Sequence, residues 1–143
     1  MDKNEELLQF LHESASMSVD AATKLLEKTE DDKLKREISG QISAYRKFAG
    51  IAAERLGEHG LTPRGLKMMT KLMADIGIVT NTAIDSTSSH IAEIMINGTN
   101  MGIVKMQKQL NSSSGCADST RELCSGMVNY QRKCSESLEA YLR

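Results

Sequence analysis

Two pairs of residues in this chain have the types and the spacing to do chemistry. His90 and Glu93 are three apart. On a helix an imidazole and a carboxylate at that spacing meet on one side and can hold a divalent metal. Two ligands are too few unless another helix or subunit adds more. Asn97 and Asn100 continue the same polar strip. The plainer reading is a solvated face near a helix start, where Glu93 suits the positive end of the helix dipole. A polar contact to a partner is a third. The second pair is Gln41 and Tyr45, four apart among apolar residues at helical spacing. Ser14, Ser18, Tyr130 and Cys134 interrupt apolar stripes in the same way. Ser14, Ser18, Gln41, Tyr45 and Tyr130 can line a small polar pocket, as a ligand sensor would. They can instead hydrogen-bond across a core and fix helix register, and this is preferred because buried polar groups need partners. Cys134 would need a base or an electropositive setting to act as a nucleophile. No His lies near it in sequence, so it reads as core filler.

All six interruptions are neutral, and no Asp, Glu or His breaks the inward stripes at mid-helix. A bundle built for metals or acid–base work places carboxylates there.

The elements that position these residues are helical. The chain holds one proline, Pro63, and no β-branched run alternates for long, so an all-α fold follows. A first helix over about 3–28 aligns Leu7, Phe10, Leu11, Ser14, Met17, Ser18, Ala21, Ala22 and Leu25 at roughly 100° per residue. Gln9, Glu13, Ser16, Asp20 and Thr23 take the opposite face. Thr29 reads as the next N-cap, with Asp32 three residues on in a capping box. A second helix over about 30–58 turns Leu34, Ile38, Gln41, Ile42, Tyr45, Phe48, Ala49, Ala52 and Leu56 inward. Gly60 suits its end, and His59 reads as a cap or surface residue.

Thr62 and Pro63 are a helix start, as N-cap and first helical residue. A third pattern runs over about 63–84 through Leu66, Met69, Leu72, Met73, Ile76 and Ala83. The run Asp85–Ser89 is poor in helix formers and rich in N-cap types. One helix over 63–111 would be about 73 Å long against about 40 Å for the first two, so a break or kink near 85–88 is expected. The next helix, about 87–111, has a wide apolar arc of Ile91, Ile94, Met95, Gly98, Met101, Gly102 and Met106, flanked by Ile96 and Ile103. Gly98 and Gly102 cost helix propensity, which close helix approach would offset. Residues 111–115 form a loop. The last helix, about 119–143, opens on a Ser119–Glu122 capping box and turns Leu123, Met127, Tyr130, Cys134, Leu138 and Tyr141 inward.

Composition narrows the function classes. The chain of 143 residues suits a single domain spanning 1–143. Hydrophobic residues are 40% and charged residues 26%, a globular balance. A net charge of −1 with mixed signs leaves no nucleic-acid footprint. No apolar run reaches the ~18 residues of a membrane span. The opening Met-Asp-Lys-Asn-Glu-Glu is not a signal peptide, so a cytoplasmic location is expected. Cys116, Cys124 and Cys134 have no zinc spacing and read as reduced, buried thiols. Met68, Met69 and Met73 are core filling or an adaptable interface.

Two long helices, a helical return and two more helices resemble the ferritin-like superfamily. The stretch Ser88–Ile103 is similar to a segment of small, uncharacterised bacterial ferritin-like four-helix-bundle proteins, and Met17-Ser18-Val19-Asp20, Gln41 and Tyr45 strengthen the likeness. The resemblance implies an antiparallel four-helix bundle with an additional crossover helix. Ferritin-like di-iron proteins carry a Glu on each of two helices and Glu-x-x-His on the other two. No Glu-x-x-His occurs here, and Glu13 is expected to point away from the core. The expected function is therefore binding or assembly, without a cofactor. The wide arc of the 87–111 helix, with Ile78 and Ile96 off their stripes, points to a homo-oligomer or a protein partner. The alternative is an atypical metal-binding or oxidative-stress protein using a divalent metal at His90 and Glu93.

Overall fold

The computed structural model describes residues 1–64 and 86–143. Among these lie four α-helices, α1 (Lys3–Lys28), α2 (Asp32–Glu58), α3 (Ser88–Asn111) and α4 (Asp118–Leu138), and a closing 3-10 turn, Glu139–Tyr141. The expected helix over 63–84 falls mostly outside the described residues. Pro63 and Arg64, its first two, are not helical. Met68, Met69, Met73 and Ile78 also lie outside the described residues.

Three of the four α-helices start where a side chain takes up a free N–H group. Asp2 caps α1 by a capping box: its carboxylate accepts from the Glu5 N–H at 2.7 Å, and the Glu5 carboxylate accepts from the Asp2 N–H at 3.0 Å. Thr87 caps α3, accepting from the His90 N–H at 3.2 Å. A new helix therefore opens at Ser88, as the polar run 85–89 implied. Two caps differ from expectation. Asp31, not Thr29, caps α2 and accepts from the Leu34 N–H at 2.8 Å. The Thr29 hydroxyl donates backward to the Leu25 carbonyl at 2.7 Å, so Thr29 finishes α1. The Ser119–Glu122 box does not form either. Ala117 holds the cap position of α4, and Asn4 of α1 accepts the Ala117 N–H at 3.1 Å. The last helix stops at Leu138 rather than running to the end.

Two apolar clusters fill the bundle. One joins Leu7, Leu11 and Ala15 of α1, Tyr45 and Ala52 of α2, Ile103 and Met106 of α3, and Cys124, Met127 and Val128 of α4. The other joins Ala22 and Leu25, Leu34, Ile38 and Ile42, Ile91, Ala92 and Met95, and Leu138. The second cluster thus takes the end of α1, the start of α2, the start of α3 and the end of α4. It follows that α2 and α3 run the same way, and α1 and α4 run opposite to both. Glu58 and Ser88 lie at opposite ends of the bundle, and residues 59–87 join them in sequence. One long crossover of this kind belongs to ferritin-like bundles. Ile96, off its stripe in the sequence, packs against the second cluster.

Candidate functional site

At mid-length the two apolar clusters leave α3 without a member over 97–102 and α4 without one over 131–137, while on α2 they meet at Ile42 and Tyr45, beside Gln41. These residues form a polar layer across the bundle. Tyr45 and Tyr130 meet edge to face with ring centroids 5.5 Å apart, and Phe48 leans on Tyr130 at 6.1 Å. The Cys134 sulfur interacts with both tyrosine hydroxyls, and the Thr99 hydroxyl with that of Tyr45. The Ser135 hydroxyl reaches the Asn100 side-chain oxygen at 2.9 Å. Gln41 and Gln131 are each only 2% exposed.

The layer is electrically neutral for a physical reason. Burial, followed by the neighbouring Cys134, pushes the Tyr45 phenol far above its ordinary value. Burial raises Tyr130 as well, again with Cys134 next in weight. Burial also raises the Cys134 thiol, against the opposing pull of the two tyrosine hydroxyls. All three keep their protons at neutral pH. Phenols, a thiol and amides in that state supply no general base and no hard anionic ligand.

The sequence placed five residues in a polar interior, and the structure divides them. Tyr45, Tyr130 and Gln41 lie in the layer. Ser14 and Ser18 are half-buried, and the Ser18 hydroxyl donates to the Ser14 carbonyl at 3.0 Å, one turn back on its own helix. Gln131 and Thr99 belong to the layer and were not read from the sequence. The signal for Gln131 was Gly102 on the facing helix. A Cβ on Gly102 would lie 2.9 Å from the Gln131 amide nitrogen, so this glycine makes room for a side chain.

The outer face of α1 departs furthest from expectation. Glu13 does not face water: it is 5% exposed, and Gln9 1%. Both meet the chain just beyond α2. The Gln9 amide donates to the Thr62 carbonyl at 2.9 Å, and its oxygen accepts from the Arg64 N–H at 2.8 Å. The Arg64 guanidinium donates to Glu13 at 2.9 Å and to Glu6 at 3.0 Å. Glu6, Gln9 and Glu13 share one stripe because 6, 9 and 13 are at helical spacing. His12 is next to this stripe, and burial lowers its pKa against the opposing field of Glu13.

The other expected ligands lie on the surface. The His90 imidazole is 3.7 Å from the Glu93 carboxylate at the start of α3, and both side chains are exposed. Among the described residues no three His, Cys, Asp or Glu side chains group as metal ligands would. His59 ends α2 and meets Glu5 at 3.2 Å. Cys116, Cys124 and Cys134 are buried free thiols. Burial, with Cys116 beside it, pushes Cys124 up to about 12.

With this geometry, three solved structures overlay nearly the whole chain. The dodecameric thioferritin of Bacteroides fragilis, a bacterioferritin-related protein, matches at TM-score 0.76 and 13% identity, over 99% of this chain and 86% of that one. A mutant of Dps1 from Mycobacterium smegmatis matches at 0.74 and 17%, over 99% and 97%. The fold is ferritin-like. YcfI from Rhodopseudomonas palustris shares it at 0.74 and 14%, over 97% of this chain and 94% of that one. No protein-family model and no curated protein matches the sequence. In this ferritin-like frame the polar layer occupies mid-bundle, where facing helices of such bundles build their sites. Among the described residues no helix is long and apolar enough to cross a membrane.

Proposed function

We propose that the protein is a cytoplasmic ferritin-like bundle that acts by binding and self-assembly rather than by di-iron chemistry. The observation that carries this reading is the contact of Tyr45, Tyr130 and Cys134 at mid-bundle, where neutral groups pack against one another. The shape also supports assembly, because one neighbour of the same fold is a dodecamer. On the outer side of α3, Val104 is 53% exposed beside the half-buried Met101, an apolar surface for a second copy. His90 and Glu93 act in this reading as a polar surface pair in the first turns of α3, not as metal ligands. Light scattering of the untagged protein at high micromolar concentration tests the assembly, with a mass above that of one chain expected. A monomer overturns it. Elemental analysis of the same sample should find metal well below one atom per chain. Stoichiometric metal that disappears in His90→Ala would overturn the metal-free reading.

A further inference from the structure

The polar layer contains two side-chain atoms that no described residue satisfies. The Gln41 amide nitrogen and the Gln131 amide oxygen are buried and meet no hydrogen-bond partner among the described residues. Both residues are more than nine-tenths buried. A buried polar atom left unpaired is costly, and native proteins pair nearly all of them with protein or ordered water.

Helical spacing places both amides within about one turn of the Tyr45–Tyr130 contact. Phe48 and Tyr45 of α2 meet Tyr130 of α4, and Tyr45 reaches on to Cys134. Gln41 lies one turn along α2 from Tyr45, in the direction of Cys134 and Leu138. Gln131 is next to Tyr130 on α4 and lies against Gly102 of α3. The two free functions are complementary. An amide N–H needs an acceptor and an amide oxygen needs a donor, and water is both. The residues named in this layer, Thr99, Asn100, Tyr130, Cys134 and Ser135, are uncharged, and a carboxylate whose field reaches Tyr130 and Cys134, that of half-buried Glu37, lies one turn of α2 before Gln41. A polar route leads outward as well: the buried Ser135 hydroxyl joins Asn100, which is exposed.

We propose that the mid-bundle layer is a hydrated site, in which ordered water accepts from the Gln41 amide and donates to the Gln131 carbonyl between the two apolar clusters. The site is built by the two glutamines, with Gln131 seated against Gly102, and the hydroxyls around them. It needs neither self-assembly nor the lack of a metal to be correct.

The test is oxygen-17 magnetic relaxation dispersion, which counts water held longer than the tumbling time of the protein. Wild-type protein is compared with Gln41→Met, Gln131→Met and the double variant. Wild type is expected to show such water, each single variant to lose part of the dispersion and the double variant to lose most. Wild type without long-lived water, or a double variant with unchanged dispersion, overturns the proposal. If the double variant does not fold, a high-resolution crystal structure of wild type decides. Water density at hydrogen-bond distance from either glutamine upholds the site. Its absence at both, or a different molecule there, overturns it.

Discussion

Gln9 and Glu13 on the outer face of α1 and the glutamines at the middle of the bundle are all buried and polar, yet their surroundings are built from opposite materials. On α1, Glu6, Gln9 and Glu13 grip residues 62–64 through charge-assisted and backbone hydrogen bonds. At mid-bundle, Tyr45, Tyr130, Cys134 and the glutamines are neutral. The difference teaches where this molecule can tolerate charge. A carboxylate next to the surface can be paired with an arginine that keeps part of its hydration, and Arg64 is 42% exposed. A carboxylate in the centre would have to be desolvated fully, at several kcal/mol per ion. The bundle spends charge on fixing where the long link begins, and spends shape on its middle.

The contrast can be broken at either place. The largest effect is expected at the centre. Tyr45→Ala removes a ring that is 3% exposed and in edge contact with Tyr130, and should cost about 3–5 kcal/mol in urea unfolding. A loss under about 1 kcal/mol would mean that the layer is loosely packed. Next comes Gln9→Ala, which removes both hydrogen bonds to the backbone of 62–64. It should cost about 2 kcal/mol, two net hydrogen bonds' worth. Smaller again is the Glu13–Arg64 coupling. A double-mutant cycle with Glu13→Ala and Arg64→Ala should give about 1 kcal/mol, reduced because the arginine is partly solvated. A coupling near zero would make the pair incidental.

The smallest effect is a pH dependence at His12. Burial holds its folded pKa below the ordinary 6.5, so folding favours the neutral ring. The contribution is present above pH 6.5 and is lost as pH falls through the folded value. The stability difference between wild type and His12→Gln should therefore narrow or reverse on acidification. A difference independent of pH would refute the buried, neutral ring.

Much of this architecture was legible because it rests on local rules. The inward positions of Gln41, Tyr45, Tyr130 and Cys134 follow from helical spacing against their own apolar neighbours. The start of α3 follows from N-cap chemistry in 85–89. What stayed hidden depended on distant or competing partners. Thr29 and Asp31 are both good N-caps, and the choice fell to Asp31 because Thr29 already uses its hydroxyl within α1. Glu13 looked solvated because a helical wheel shows an apolar stripe but not what covers the other side. Its partner Arg64 is 51 residues away in sequence. The hint was present in the stripe of Glu6, Gln9 and Glu13, followed by one arginine just after Thr62 and Pro63. Gln131 is at the edge of its stripe, and only the facing Gly102 explains its burial.

The same direction of α2 and α3 also bears on how the chain reaches this state. Short links at 29–31 and 112–117 let α1 with α2 and α3 with α4 close as local hairpins, the rapid kind of folding event. Joining the hairpins closes the much longer link 59–87, though each doubling of a loop adds only about 0.6 kcal/mol of closure entropy. The Tyr45–Tyr130, Tyr45–Cys134 and Tyr45–Thr99 contacts all connect one hairpin to the other. None of them can exist before docking. The mid-bundle layer therefore records whether the two halves have met, and the amide hydrogens of its helices should exchange as one cooperative unit with that event.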